Sequence, residues 1–146
     1  MNSYSINEKV FETILIGESL GELSKEITAN LMMSYGAATW DYAPIHYDAY
    51  TARRFGFRGP IADGQMLGAF LIQLVQNWAG HYAYIEKLSF QNKQVVYAGD
   101  KLICKGYVQQ KDEEKRVIGC KLWIENDQGQ IILDNGFAAV SFAEDN

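Results

Sequence analysis

The sequence predicts an α+β domain in which an antiparallel sheet wraps around one long buried helix. Two observations carry that expectation. The segment from Gly64 to Ala79 has helical length, holds no charged residue and is apolar on nearly every side, so a helix there needs cover over most of its surface. Downstream, four β-rich runs at 84–96, 101–110, 116–126 and 130–142 are divided by charged, turn-like stretches and supply that cover. The 146 residues, 48% of them hydrophobic, suffice for one domain that buries about 70% of its unfolded surface. The expectation is therefore a single domain over residues 1–146, with residues 1–8 as a flexible N-terminal extension.

The elements follow from local signals in chain order. Residues 10–16 are β-branched and aromatic and suggest a strand, and Leu23 to Ile27 suggest a second, short one. Thr28 reads as an N-cap for a helix from Ala29 to Ala38, with Leu31, Met32, Tyr35 and Ala38 at helical spacing. The chain then breaks at Thr39-Trp40-Asp41 and at Pro44. Asp48 reads as the cap of a short helix through Phe55, stopped by Gly56 and by Gly59-Pro60. The long helix ends at Gly80. In the third β-rich run Ile118, Cys120, Leu122 and Ile124 alternate with Gly119, Lys121, Trp123 and Glu125, the period of a half-solvated antiparallel strand. A hairpin turning at Asp112 would set Cys104 opposite Cys120, although free buried thiols are expected in a reducing compartment. Met32, Met33 and Met66 fall at core-like positions.

Several function classes are disfavoured at this level. Thirteen Lys and Arg against 18 Asp and Glu give a net charge of −5, and no stretch gathers the basic residues into a nucleic-acid footprint. High apolar and aromatic content argues against disorder. The first residues lack the basic and apolar regions of a secretory signal, which leads to an expectation of a cytoplasmic protein. The 22 uncharged residues from Gly64 to Ile85 carry Gln65, Gln73, Gln76, Asn77 and His81, which suits burial in protein better than lipid. Neither cysteine has the spacing of a zinc or redox motif.

Chemistry concentrates in Trp40-Asp41-Tyr42-Ala43-Pro44-Ile45-His46-Tyr47-Asp48, which holds one of the chain's 2 histidines. Pro44 turns the chain between Asp41 and His46, so their side chains could converge on one water as a general acid/base pair. Taken alone, such a spacing more often means a turn carboxylate and a satisfied histidine. The neighbouring residues alter that balance. Asp41-x-x-Pro44-Ile45-His46-x-Asp48, then Ala52, then Gly56-Phe57-x-Gly59-Pro60-Ile61-Ala62-Asp63-Gly64, resembles the signature of the MaoC-like (R)-specific enoyl-thioester hydratases and dehydratases. Leu88-Ser89-Phe90, Val95 to Asp100 and Ala138 to Phe142 are similar to that family's sheet.

The resemblance implies the hot-dog fold, an antiparallel sheet around a long helix, and reversible addition of water across a trans-2-enoyl thioester of coenzyme A or an acyl carrier. It puts the catalytic pair on Asp41 and His46 and the thioester-carbonyl contact on the backbone N–H of Gly64. A helix N-terminus suits an oxygen that gains negative charge. Asp63, Tyr47 and Phe57 are further substrate-binding candidates. Neither a metal nor a redox cofactor is implied. The expected partners are the acyl thioester and a second copy of the chain in a homodimer or larger homo-oligomer, with a heteromer as the variant; no nucleic acid or membrane is expected. Two departures stand out: Ala43 where the family commonly has Asn, and Asp63 where it commonly has His. Arg53, Arg54, Arg58, Lys87 and Lys93 are candidates for phosphate contacts or simply solvated charges. Trp40, Tyr42, Tyr47, Tyr50, Phe55 and Phe57 bracket the segment, mostly as packing residues. Two other readings are carried alongside: a thioesterase of the same fold with Asp63 as general base, and a non-catalytic acyl-thioester-binding subunit.

Overall fold

A computed structural model describes residues 8–143. The extension expected over residues 1–8 lies outside the described residues except for Glu8. Five strands, β1 (Ser19–Glu26), β2 (Ala83–Ser89), β3 (Lys101–Asp112), β4 (Val117–Asn126) and β5 (Ile131–Phe142), form one antiparallel sheet in the order β1-β3-β4-β5-β2. Three helices, α1 (Ala29–Thr39), α2 (Ala49–Arg54) and α3 (Gly64–Ala79), occupy the chain between β1 and β2. The expected plan of sheet around helix is observed.

The helix starts follow directly from short polar side chains. Thr28 Oγ1 accepts from Leu31 N–H at 3.0 Å, Asp48 Oδ2 from Thr51 N–H at 2.8 Å and Asp63 Oδ1 from Gln65 N–H at 2.8 Å, each filling one of the unpaired donors of a first turn. Trp40 ends α1 in the left-handed region at φ 59°, and Gly80 ends α3 at φ 88°. Helix α3 buries Met66, Leu67, Leu71, Leu74 and Val75 to 2% exposure or less. Each such side chain stabilises the fold by about 1.5–3 kcal/mol relative to exposure. The matching face of the sheet is the alternating set Ile118, Cys120, Leu122 and Ile124 on β4, all 0% exposed.

Five expectations are corrected. Residues 10–16 are not a strand: Phe11–Thr13 form a 3-10 turn, and the buried residues are Phe11 and Ile14, three apart, while Leu15 and Ile16 are exposed. Their apolar character serves packing in the core rather than pairing within the sheet. The run 84–96 holds strand only to Ser89, because the chain then crosses α3, with Phe90 lying against Gly68. The β3–β4 hairpin turns at residues 113–116, with Asp112 opposite Val117, so Cys104 faces Ile124 and Cys120 faces Val108. Both thiols are free and buried, and burial pushes each up to about 12. Met33 is exposed, unlike core residues Met32 and Met66. Trp40, Tyr42, Tyr47, Tyr50 and Phe55 are also exposed, so packing does not account for them.

The N-terminal segment is tied to the far end of α3. Lys9 N–H donates to the Ala79 carbonyl at 3.1 Å, and the Glu18 carboxylate accepts from Lys9 Nζ, from Trp78 Nε1 at 3.1 Å and from Leu15 N–H at 3.3 Å. Burial would raise the Glu18 carboxyl, but these donors outweigh it and hold it below the ordinary glutamate value. A depressed carboxyl contributes stability that is present above its ordinary value of 4.5 and is lost as pH falls through the lower folded-state value. Glu18→Gln should therefore cost about 1 kcal/mol in urea denaturation at pH 7, with the difference shrinking as pH falls below 4.5 and on through the lower folded-state value; a pH-independent difference would contradict the assignment. A Cβ on Gly68 would stand 2.5 Å from the Phe90 ring. Gly68→Ala should accordingly lose about 1–2 kcal/mol despite alanine's better helix propensity, read in the same experiment.

Candidate functional site

Asp41 and His46 lie on the stretch between α1 and α2, and each is positioned by backbone rather than by side-chain packing. The left-handed Trp40 reverses the chain so that Asp41 N–H returns to the Gly36 carbonyl at 3.0 Å. Gly36 has no room for a side chain, since a Cβ there would stand 2.8 Å from the Asp41 carbonyl oxygen. Asp41 Oδ1 then accepts from Ala43 N–H at 3.0 Å. Pro44 opens a 3-10 turn, Pro44–His46, which carries the imidazole round to face the carboxylate.

The imidazole is held at its other nitrogen. His46 Nδ1 lies 2.7 Å from the Ile61 carbonyl, which only accepts, so Nδ1 carries the proton and Nε2 keeps a lone pair in the neutral ring. Ile61 N–H in turn donates to the Ile45 carbonyl at 3.2 Å, Ile61 bridges to Tyr97, and Ala62 N–H donates to Val96 at 2.8 Å. The lead-in to α3 and the loop carrying the histidine are thereby stitched to each other and to the 96–97 segment. His46 Nε2 stands 3.7 Å from Asp41 Oδ2, with 19% and 39% of the two side chains exposed. That separation exceeds a hydrogen bond and leaves both atoms able to share a water.

Asp63 joins them. One donor atom each from Asp41, His46 and Asp63 lies within 4.8 Å of the others, the cluster among the described residues that could hold a metal ion. Asp63 also uses Oδ1 to cap α3, so its carboxylate belongs both to the helix start and to the cluster. Gly64 follows it, and its N–H has no hydrogen-bond partner among the described residues. A Cβ at position 64 would displace the exposed Asn92 side-chain amide, which lies against the start of α3. Tyr35 is a site neighbour that helical spacing assigned only to the core. Burial, then the negative charges of Asp63 and Asp41, push its hydroxyl above the ordinary tyrosine value and keep it protonated.

Between α1 and the loop lies a half-open hollow of about 270 Å³. Met32, Met33, Gly36 and Ala37 wall it on the helix side and Tyr42 and Tyr47 on the other, with Asp41 and His46 opening into it. Tyr47 OH donates to the Tyr42 carbonyl at 3.2 Å, which ties the two tyrosines together at the rim. Phe57 is half-buried and does not line the hollow. Among the basic candidates, Arg58 stacks 4.1 Å over the Tyr97 ring and lies 3.7 Å from Asp100, and Lys93 pairs with Asp134. Arg53, Arg54 and Lys87 are exposed.

Comparison with known proteins agrees with this architecture. The family described as MaoC like domain matches residues 11–125. Among solved structures the chain is similar to an (R)-hydratase from A. caviae involved in PHA biosynthesis, at 23% identity over 90% of this chain and 99% of that one, with a TM-score of 0.83. It is similar also to an R-hydratase from Pseudomonas aeruginosa, at 22% identity over 92% and 86%, with a TM-score of 0.83. A third likeness is to the ChsH1-ChsH2 complex from Mycobacterium tuberculosis, at 22% identity over 88% and 98%, with a TM-score of 0.80. No curated protein matches the chain by sequence. No helix among the described residues is long and apolar enough to cross a membrane.

The hydrogen bond to Ile61 makes a spectroscopic prediction. In nitrogen-15 spectra of the neutral rings, His46 should show the Nδ1-protonated tautomer, while the exposed His81 should populate both; a dominant Nε2–H form at His46 would break the assignment.

Proposed function

The chain belongs to the MaoC-like domain family, and on that basis we propose that it adds water reversibly across the double bond of trans-2-enoyl thioesters, giving 3-hydroxyacyl thioesters. The observation that carries this reading is the approach of Asp41 Oδ2 to His46 Nε2 at 3.7 Å, with Nδ1 already committed to Ile61. A water between them meets two acceptors and is turned toward whatever occupies the mouth of the hollow. As its oxygen bonds to C3, Asp41 takes a proton, and the π electrons move toward the thioester oxygen. The N–H of Gly64 at the start of α3 is assigned to that oxygen, where the helix dipole favours the growing negative charge. His46 orients the water and relays the proton to C2, so that the pair ends the cycle as it began and one water has been added.

Two of the similar proteins are hydratases by name, which supports the same reaction here. The chemistry assigned to the pair calls on neither a metal nor a redox cofactor. Thioester hydrolysis through Asp63 is disfavoured because the Asp41 and His46 pair, which hydrolysis does not call on, is present, and two of the similar proteins are hydratases by name. Residues 1–146 act, in this reading, as one catalytic domain. Both edges of the sheet, β1 and β2, carry unpaired backbone groups, which supports the expected association with a second copy or a related subunit.

The test follows the conjugated enoyl absorbance and free thiol in parallel, using trans-2-enoyl-CoA substrates. Absorbance should fall without thiol release. Asp41→Asn and His46→Ala should each lower turnover by about 10²–10⁴-fold with melting temperatures near wild type. Thiol release, or near wild-type turnover in either variant, would overturn the reading.

A further inference from the structure

We propose that Asp41, His46 and Asp63 form a binding site for a divalent cation of the Zn²⁺ class, and that its occupancy switches the acid/base pair off. The inference deepens the hydratase reading by naming a regulator of that same pair; the binding itself stands apart from the reaction. Two separate stretches of chain, the loop before α2 and the lead-in to α3, bring one donor atom from each of the three side chains to within 4.8 Å of the others. All three residues are half-buried. Among the described residues no lysine or arginine pairs with Asp41 or Asp63. Two half-buried carboxylates with no cation beside them repel each other, and a divalent ion between them removes that repulsion.

The donor set selects the ion. One imidazole nitrogen and two carboxylate oxygens suit Zn²⁺ and leave a coordination position open. Ca²⁺ takes about six to eight oxygen ligands and Mg²⁺ a near-ideal octahedron of oxygens and waters, so the nitrogen favours neither. Tetrahedral Zn²⁺ with bonds of about 2.0–2.2 Å holds its donors about 3.3–3.6 Å apart. His46 Nε2 and Asp41 Oδ2 stand near that spacing already, at 3.7 Å, so the closing movement falls to Asp63. Asp63 Oδ1 accepts from Gln65 N–H, which anchors the carboxylate and leaves Oδ2 for the ion. The imidazole is prepared as metal-ligating histidines are: Nδ1 donates to a backbone carbonyl, that of Ile61, and the lone pair sits on the nitrogen that faces the carboxylate. The hollow onto which Asp41 and His46 open gives the ion a way in. Once there, it takes the Nε2 lone pair and Asp41 Oδ2, the two acceptors assigned to the reacting water, so a loaded chain cannot pass the proton.

The experiment measures binding apart from turnover. Zn²⁺ alone is titrated into the full chain by calorimetry, with nitrogen-15 spectra of the 2 histidines followed in parallel. A single Zn²⁺ should bind per chain, the His46 Nε2 resonance should move while Nδ1 keeps its proton, and Mg²⁺ at the same concentrations should do neither. Asp63→Asn, whose amide still caps α3, and Asp41→Asn should each weaken binding at least about tenfold with melting temperatures near wild type. His81→Ala, which removes the other histidine, should leave binding unchanged. Enoyl-CoA hydration by the wild type should fall in proportion to occupancy and return when a chelator is added. Binding that survives Asp63→Asn, that moves His81 instead of His46 or that Mg²⁺ matches overturns the inference, as does hydration undiminished at full occupancy. Hydration by a chain that binds no Zn²⁺ removes the ion site and leaves the hydratase reading. Binding that depends on Asp41 and Asp63, in a protein that hydrates no enoyl-CoA, keeps the ion site and removes that reading.

Discussion

The structure depends on keeping α3 out of water. Nine of the sixteen residues from Gly64 to Ala79 are buried, including Trp78 at one end and Met66 near the other, so the helix cannot exist as a surface element. A sheet alone covers only one side of a cylinder. The remaining sides are closed by the N-terminal segment, which brings Phe11 and Ile14 to the core, and by the crossing chain after β2, which brings Phe90. This cover has a geometric cost at Gly68, where the Phe90 ring leaves no room for a side chain, and four residues earlier on the same face at Gly64, where a Cβ would push aside the Asn92 amide. The start of the helix is thereby stripped of bulk at the point where its first N–H groups emerge.

What could be read from the sequence was what depends on near neighbours. Thr28, Asp48 and Asp63 announce helix starts because a cap bond spans only two or three residues. Helix α3 could be bounded to the residue because a charge-free, glycine-flanked run of that length has one economical conformation. The Asp41 and His46 convergence was legible for the same reason, being set by one proline turn. Errors arose where long-range partners decide. Residues 10–16 have strand composition, but Phe11 and Ile14, three apart, turn into the core instead of alternating across a sheet face, and the segment is a packed strap. The β3–β4 register differs because the turn is made by the four residues after Asp112, and that shift moves Cys120 away from Cys104.

The candidate site also shows where local reading stops. The carboxylate of Asp63 is visible as a cap, but its approach to Asp41 and His46 depends on Ile61 folding back to Ile45, a contact between segments sixteen residues apart. Tyr35 fits a helix core stripe, and only the folded chain reveals that its hydroxyl feels two carboxylates. The exposed aromatics from Trp40 to Phe55 read equally well as buried packing, since composition does not distinguish a side chain sheltered by its own fold from one left at the rim of a hollow.

The Ile61 stitch has a consequence for motion. Its carbonyl holds the imidazole, its N–H holds Ile45, and its neighbour Ala62 is tied to Val96, so three stretches distant in sequence share one short knot of backbone. Breathing of the lead-in to α3 cannot proceed while the histidine loop stays still. The two would open and close together as a single cooperative unit, with their amides exchanging hydrogen at a common rate set by the knot instead of by either loop.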